Sequence, residues 1–419
     1  MAKTITVPLP KNTGPIGMEW SESNLRNGNL TPAVIVGDLM VTAAVDAHTV
    51  YAFNTASGAP RWTWRATGRV TSSPTIARGL VLFGSNDGYV TALRASDGAL
   101  VWRRFVAPNR RQIVVDGQVE SLWPAFGSVT VLGDQAFVVA GRHNQCDGGV
   151  RIIRLDLKTG AAQAEAILTH MDTNEEAPRP GKSDWEGRSA DVLTLHMSGD
   201  TLMMSNIFID PATMAWARIP SRSAFAPKGQ EAKFTKARPN RWVAVGPNWS
   251  YDDPKVLAVI GAPAAGMFDR RGSSTGTKGQ NGYRFMATSP YQNGYTANLL
   301  AIDGKTMFAA DRAKLFEIKM GDDGMPVSTG KGKFVSAGDE FTSTGQGIAS
   351  LLTTPKQVVF ARVDTNGGAK TDVLIFDRAT KAKVGELSFP ARIVMNGLST
   401  AGGRLYVTFD NGEIAIIGG

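Results

Sequence analysis

Short apolar stretches separated by polar turns follow one another along the chain, and no long stretch has the spacing of an amphipathic helix. Residues 39–44 form one such apolar stretch. Within residues 49–53 the side chains alternate, so that Val50 and Ala52 share one face of a strand. The 46 glycines and 21 prolines supply frequent turns between such strands. The pattern therefore predicts an all-β fold made of many short strands.

Two of these units repeat each other at a spacing of forty residues. Gly58 and Gly98 occupy equivalent turns, and Trp62 and Trp102 follow them at equivalent positions. A repeat of about 40 residues built from short strands and turns is typical of propeller blades. We expect each glycine to need a positive φ, and each indole to dock against the neighbouring blade. The repeat predicts packing between blades, and it carries no catalytic motif.

Weaker copies of the unit extend the repeat to the end of the chain. They lie near residues 137–160, 201–216, 241–260, 305–318, 357–380 and 404–417. Counting all copies predicts a β-propeller of eight four-stranded antiparallel blades, with seven as the alternative because the copy at 241–260 is weak. The whole chain, residues 1–419, is expected to form this single domain.

The last copy stops one strand short of a complete blade. Its apolar stretches end at Ile417, and no tryptophan-bearing strand follows. We expect the N-terminal segment, residues 1–29, to supply the missing outer strand through residues 18–21. Such an exchange would close the ring and protect an open sheet edge.

Composition excludes several classes of protein. The net charge is +8, but no run of five basic residues occurs, so a nucleic-acid surface is not predicted. Cys146 is the single cysteine, which rules out an intramolecular disulfide and a cysteine-based metal cluster. No stretch reaches the roughly 18 apolar residues of a membrane helix. The first residues have no signal-peptide pattern, so the chain is either cytoplasmic or the mature form of an exported protein.

Residues 92–102, with the sequence Ala-Leu-Arg-Ala-Ser-Asp-Gly-Ala-Leu-Val-Trp, closely resemble the repeat of PQQ-like (quinoprotein alcohol dehydrogenase-like) β-propellers. The resemblance is specific over roughly residues 31–160. Further stretches are similar to the PQQ-binding-like propellers of planctomycete-type bacteria: 45–50, 79–85, 117–124, and 141–142 with 147–149. The resemblance implies the propeller fold and a periplasmic or extracellular location. It implies little about activity, because most such proteins have none assigned.

The cofactor in the family's name is not expected to bind. Family members that use the quinone hold it beneath two adjacent, disulfide-bonded cysteines, with Glu, Asn and Asp as calcium ligands beside it. This chain has only Cys146, and no set of acidic residues aligns with those ligands. It also lacks the C-x-x-C-H motif of covalent haem attachment. We therefore predict no cofactor, and a quinone-dependent dehydrogenase is the least favoured function.

Loops at one mouth of a propeller channel commonly form its ligand site. Blade packing explains three segments poorly: residues 118–124, 142–147 and 178–188. Their mixture of charges, amides and indoles suits sugar rings, which stack on tryptophan and bond through their hydroxyls. The predicted ligand-binding residues are Gln118, Trp123, Arg142, Asn144, Trp185, Arg188 and Asp191. The alternative interpretation is that these are solvated loops with structural salt bridges.

His143, Glu120 and Asp147 are the candidate catalytic residues, if the protein is an enzyme. A glycosidase would use paired carboxylates, and a polysaccharide lyase would use a base such as His143. A zinc site of His143, His196 and Asp191 lacks any short ligand spacing, so no metal is predicted. His48 occupies the position of Gly88 in the second unit, which indicates a role in the turn.

The favoured function is a non-catalytic, exported binding scaffold for a protein or glycan partner. The alternative is a carbohydrate-active enzyme, either a polysaccharide lyase or a glycoside hydrolase, with its site at the channel mouth. No nucleotide-binding or nucleophile-elbow motif occurs, which removes those classes. The oligomeric state is left open by the sequence.

Overall fold

The structure is a computed structural model of the 419-residue chain. It describes residues 3–9, 29–115, 117–142, 147–169, 195–198, 201–204, 207–218, 241–242, 257–260, 267–269, 284–286, 299–303, 306–310, 315–319, 346–364 and 368–418. Within these ranges all regular structure is β-strand, as the sequence pattern predicts.

The front of the chain forms an N-terminal strand, three sheets and a separate hairpin. The N-terminal strand is β1 (Lys3–Thr6). Sheet 1 contains β2 (Val34–Val36), β3 (Leu39–Ala44), β4 (Thr49–Asn54) and β5 (Pro60–Arg65). Sheet 2 contains β6 (Thr75–Ala77), β7 (Leu80–Ser85), β8 (Tyr89–Arg94) and β9 (Leu100–Phe105). The hairpin consists of β10 (Gln112–Val115) and β11 (Gln118–Ser121). Sheet 3 contains β12 (Thr130–Leu132), β13 (Gln135–Ala140), β14 (Val150–Asp156) and β15 (Ala162–Leu168).

The remaining strands form five further sheets. Sheet 4 contains β16 (His196–Ser198), β17 (Thr201–Met204), β18 (Ile207–Ile209) and β19 (Trp216–Arg218). Sheet 5 contains β20 (Arg241–Trp242), β21 (Leu257–Ile260), β22 (Met267–Asp269) and β23 (Arg284–Met286). Sheet 6 contains β24 (Leu299–Asp303), β25 (Thr306–Ala310) and β26 (Leu315–Lys319). Sheet 7 contains β27 (Gln346–Thr353), β28 (Gln357–Asp364), β29 (Thr371–Asp377) and β30 (Lys383–Phe389). Sheet 8 contains β31 (Ile393–Ala401), β32 (Arg404–Phe409), β33 (Glu413–Ile417) and β1.

Apart from β1, which pairs with β33, each strand of a sheet pairs with strands that precede or follow it directly in the chain, and all described pairs are antiparallel. The core lies in apolar layers between neighbouring sheets. Val41 and Val50 of sheet 1, for example, pack with Val81 and Phe83 of sheet 2. Further layers of this kind join sheets 2 and 3, 3 and 4, 7 and 8, and 8 and 1. This arrangement is the one expected of propeller blades, because sheets 1, 2, 3 and 8 each bury both of their faces against their neighbours.

The repeated tryptophans connect neighbouring sheets. Trp102 of sheet 2 is buried, and its Nε1 donates a hydrogen bond at 2.9 Å to the carbonyl oxygen of Leu157, in the turn between β14 and β15 of sheet 3. Gly160 has a φ of +69°, and a Cβ there would lie 2.6 Å from the indole ring. Trp62 stands in the same relation to Gly98 of sheet 2. The predicted docking of each indole across to the next unit is confirmed.

The N-terminal strand β1 completes sheet 8, pairing with β33 from Lys3↔Ile416 to Thr6↔Glu413. An N-terminal segment therefore does supply the outer strand, as expected. The choice of residues 18–21 for it was wrong, because Lys3–Thr6 occupies that edge; residues 18–21 lie outside the described residues. A Cβ on Gly58 would contact the side chains of Lys3 and buried Ile5 of β1, so these two side chains lie where tryptophan lies in sheets 1 and 2.

The turn after the third strand of several sheets is held by one acidic or amide side chain. In sheet 3 the Asp156 carboxylate accepts hydrogen bonds from the hydroxyl and the N–H of Thr159, both at 2.8 Å. These bonds hold the pKa of the Asp156 carboxyl below its ordinary value. Asn54 and Asp377 accept equivalent bonds in sheets 1 and 7.

We expect Asp156→Ala to lower the melting temperature and Asp156→Asn to leave it nearly unchanged, since Asn54 forms the same turn naturally. The lowered pKa means that the folded state favours the ionised carboxyl. Its contribution is fully present above the unfolded pKa of about 3.9 and is lost as pH falls through the folded value. Melting curves between about pH 6 and pH 2 should show a smaller acid-induced loss in Asp156→Asn than in the parent. Identical acid dependence in both would contradict this account.

In the described part of the chain, no helix is long and apolar enough to cross a membrane.

Candidate functional site

The hairpin β10–β11 interrupts the repeat between sheets 2 and 3, and it contains part of the predicted segment 118–124. Because strands alternate in direction, the second turn of each sheet and the connection to the next sheet lie at the same end. Four of these turns and connections meet here: residues 45–48, 66–74 and 86–88, and the described residues 141–142 and 147–149 of the turn between β13 and β14. They form one surface with the hairpin at its centre.

Glu120 is the centre of a buried ionic cluster at the base of the hairpin. Its Oε1 accepts hydrogen bonds from Arg69 Nε at 2.8 Å and from Asn86 Nδ2 at 2.7 Å. Arg69 Nη2 is also 2.7 Å from Oε1. Arg142 Nη2 donates to Oε2 at 2.5 Å. We call Arg69, Asn86, Glu120 and Arg142 the hairpin-base cluster.

The cluster is almost entirely removed from solvent. The side chains of Glu120 and Arg69 are 1% and 2% exposed, and that of Arg142 is 17% exposed. Arg69 also donates from Nη2 to the carbonyl oxygen of Val115 on β10, and its Nη1 lies 3.8 Å from Asp46 Oδ1. Two guanidinium groups thus face two carboxylates. A charge buried in this way is tolerated because it is paired and hydrogen-bonded.

This geometry favours a structural role for Glu120. Both carboxylate oxygens are occupied by cationic or amide donors, so neither is directed at open space where a substrate could lie. The interpretation of these loops as structural salt bridges, given above as the alternative, fits the contacts of Glu120 and Arg142.

Gln118 and Trp123 also contact other parts of this surface. His48 Nε2 donates to Gln118 Oε1, and His48 has a φ of +55° where Gly88 has +84°, which confirms its predicted role in the turn. Trp123 is buried, and its Nε1 donates to the carbonyl oxygen of Asp147 at 2.9 Å. Trp123 therefore anchors residues 147–149, and its ring does not offer a stacking surface for a sugar.

The structure brings five of the predicted site residues together, namely Gln118, Glu120, Trp123, Arg142 and Asp147. The other five lie outside the described residues: His143, Asn144, Trp185, Arg188 and Asp191. His196 is placed only by its backbone, which pairs with Met203. The binding and catalytic roles of these residues stay predictions.

Arg69, Asn86 and Asp46 belong to the site although the sequence did not single them out. Asp46 and Asn86 occupy the same position in the two forty-residue units, in the turn that follows the second strand. The signal available in the sequence was this recurrence of a polar residue at one position of the repeat. Arg69 has no such signal, because its partner Glu120 lies 51 residues away.

Comparison with known proteins bears on the repeat and the fold. The family model of the outer membrane protein assembly factor BamB matches residues 16–216, which span sheets 1 to 4 and the hairpin. Residues 16–216 therefore contain repeats similar to those of PQQ-like β-propellers. The predicted resemblance to PQQ-like propellers is therefore confirmed, while its planctomycete branch stays a prediction.

Two solved structures share the fold over nearly the whole chain. BamB from Moraxella catarrhalis is 13% identical, with a TM-score of 0.53, covering 99% of this chain and 98% of its own. The computationally designed Ika8 protein is 11% identical, with a TM-score of 0.51, covering 93% of this chain and 96% of its own. No curated protein sequence matches the chain significantly. At these identities the likeness establishes the β-propeller fold alone.

Proposed function

We propose that this protein is a non-catalytic β-propeller scaffold that binds a protein partner outside the cytoplasm. The observation that carries the proposal is the hairpin-base cluster. The best-placed acid of the surface, Glu120, has both oxygens bound by arginine and asparagine side chains, so it stabilises the hairpin and its carboxylate is not available to a substrate. The match to the family of an outer membrane protein assembly factor supports a protein partner and an envelope location.

We further propose that sheets 1 to 8 are eight blades of one closed ring formed by residues 1–419. Contacts between the first and last sheets support this. Ser399 Oγ of β31 donates to the carbonyl oxygen of Ala33 at 2.7 Å, and Thr408 Oγ1 of β32 accepts from Ala33 N–H at 3.2 Å. Together with β1, these bonds hold the two ends of the chain in one body, as a rigid scaffold requires.

Affinity purification after chemical cross-linking in source cells tests the proposal. We expect one envelope protein to be recovered in near-stoichiometric amount with the tagged chain, and cell fractionation to place the chain outside the cytoplasm. A tagged protein of similar charge and unrelated fold is the control for non-specific capture.

The competing enzymatic function has its own measurement. Purified protein should release neither reducing ends nor unsaturated uronate from a panel of neutral and acidic polysaccharides. Turnover that disappears in Asp147→Ala, with an unchanged melting temperature, would instead establish a carbohydrate-active enzyme. The absence of any recovered protein partner would also count against the scaffold.

A further inference from the structure

One face of the hairpin β10–β11 packs toward the protein, and the other face exposes two valines to solvent. Cross-strand partners share a face, and Ile113↔Glu120 and Val114↔Val119 lie on opposite faces. Glu120 is buried in the hairpin-base cluster, whereas Val114 and Val119 are 72% and 56% exposed. An ordinary hairpin packs its apolar face on the core. Among the residues that the structure describes, none covers these two valines, which favours a surface for another molecule.

One edge of the hairpin is open for strand pairing. Leu122 N–H donates to the carbonyl oxygen of Arg111 at 3.0 Å, and antiparallel pairs alternate between bonded and non-bonded. The backbone groups of Gln112 and Val114 therefore point away from β11. Within the described ranges, no other strand pairs with β10. The opposite edge differs, because Ser121 N–H on β11 donates to the carbonyl oxygen of Asn86 at 2.8 Å.

Positive charge flanks the open edge. Arg110 and Arg111 immediately precede β10 and are exposed, and within the described residues neither forms an ion pair. Arg110 lies over the Phe105 ring at 5.0 Å and donates to the Tyr89 hydroxyl at 3.3 Å. This contact holds its guanidinium beside the hairpin. A cation fixed in this way favours an anionic partner through charge-assisted hydrogen bonds.

The hairpin is held rigidly enough to serve as a template. A two-stranded hairpin alone is marginally stable in water. Here Arg69 bonds to Glu120 on β11 and to the carbonyl oxygen of Val115 on β10, so one guanidinium ties both strands to the protein. A preformed edge lowers the ordering cost of adding a strand to it.

We propose that an extended, acidic segment of the protein partner adds a strand to the open edge of β10. Its backbone pairs with the N–H and C=O groups of Gln112 and Val114, its apolar side chains cover Val114 and Val119, and its carboxylates meet Arg110 and Arg111. Strand addition of this kind takes affinity from main-chain hydrogen bonds and specificity from the side chains. The inference rests on the proposed scaffold function and assigns it a partner chemistry and a docking edge.

Binding of a labelled peptide of about ten residues, alternating Glu and Val, tests the inference by fluorescence anisotropy with the full chain. A Lys–Val peptide of the same length is the control. We expect the acidic peptide to bind at least about tenfold more tightly than the basic one, and its affinity to fall between about 50 and 300 mM salt.

Two variants locate the site. Val114→Pro removes the outward N–H at a position that makes no bond to β11, so we expect about tenfold weaker binding with the melting temperature nearly unchanged. Val119→Thr is the matched control, since it changes the facing residue and leaves the open edge intact, and we expect less than about threefold loss. The double variant Arg110→Ala/Arg111→Ala should bind the acidic peptide several-fold more weakly, and this affinity should depend less on salt.

Equal affinity for the two peptides, or unchanged binding by Val114→Pro and by the double arginine variant, would overturn the inference. So would concentration-dependent self-association that Val114→Pro abolishes, because the edge would then pair with a second copy of this chain. The scaffold function has a separate readout. If the tagged chain carrying Val114→Pro still recovers the same cross-linked protein from cells, the assignment of the docking edge is wrong and the scaffold function stands.

Discussion

Replacing Glu120 by Gln is expected to destabilise the protein by about 3–5 kcal/mol, because removing one partner leaves an uncompensated charge in a buried site. The amide keeps the shape of the side chain but removes the negative charge that Arg69 and Arg142 share. Arg69 retains Asp46, at 3.8 Å, as its remaining anion. The loss should appear as a lower urea midpoint in equilibrium unfolding followed by tryptophan fluorescence.

Glu165→Gln is the matched control for this substitution. Glu165 pairs with Arg151 in sheet 3, but its side chain is 42% exposed. An ion pair at the surface contributes about 0–1 kcal/mol, so the same chemical change should have a small effect there. Similar losses for the two variants would mean that the hairpin-base cluster behaves as a surface pair, and the structural role assigned to Glu120 would be wrong.

Trp102→Ala is expected to cost about 3–5 kcal/mol, the usual range for deleting a buried aromatic side chain. The indole fills the space beside Gly160, and its N–H bonds to the Leu157 carbonyl, so the substitution leaves a cavity between sheets 2 and 3 and an unpaired acceptor. Thermal and urea unfolding both measure this loss.

Leu100→Ala on the same strand is the comparison for Trp102→Ala. Leu100 is 49% exposed and is expected to change stability by no more than about 0.5 kcal/mol. The loss of stability in Trp102→Phe should lie between those of the two alanine variants, because phenylalanine keeps an aromatic ring and lacks the N–H donor. If Trp102→Ala were as mild as Leu100→Ala, the indole would not be joining the two sheets.

The strands and their turns could be predicted from the sequence because both depend on near neighbours. Alternation along residues 49–53 sets which side chains are buried, and Thr159 lies three residues from the Asp156 carboxylate that it bonds. The spacing of Trp62 and Trp102 likewise predicted contacts between sheets, since every unit meets its neighbour in the same way. Even the weak copy near residues 241–260 contains paired strands.

The outer strand of sheet 8 shows where such prediction stops. Lys3–Thr6 has one buried apolar residue, Ile5, which is too little pattern to distinguish it from residues 18–21 in sequence alone. Its pairing with β33 joins positions about four hundred residues apart. The choice between two short segments depended on which of them reaches that edge.

The role of Glu120 was decided in the same way. The sequence marked it as an acidic residue in a segment that interrupts the repeat, and this was correct. Its partners lie 22, 34 and 51 residues away, on three different connections that the sheets bring to one end of the fold.

The sequence by itself therefore determined the repeat, the strand pattern and the location of the irregular surface, because side-chain alternation and turn chemistry act over a few residues. The tertiary structure alone decided that Glu120 forms ion pairs with two arginines and that Val114 and Val119 face solvent. A buried charge is defined by the groups that surround it, and those groups come from distant parts of the chain.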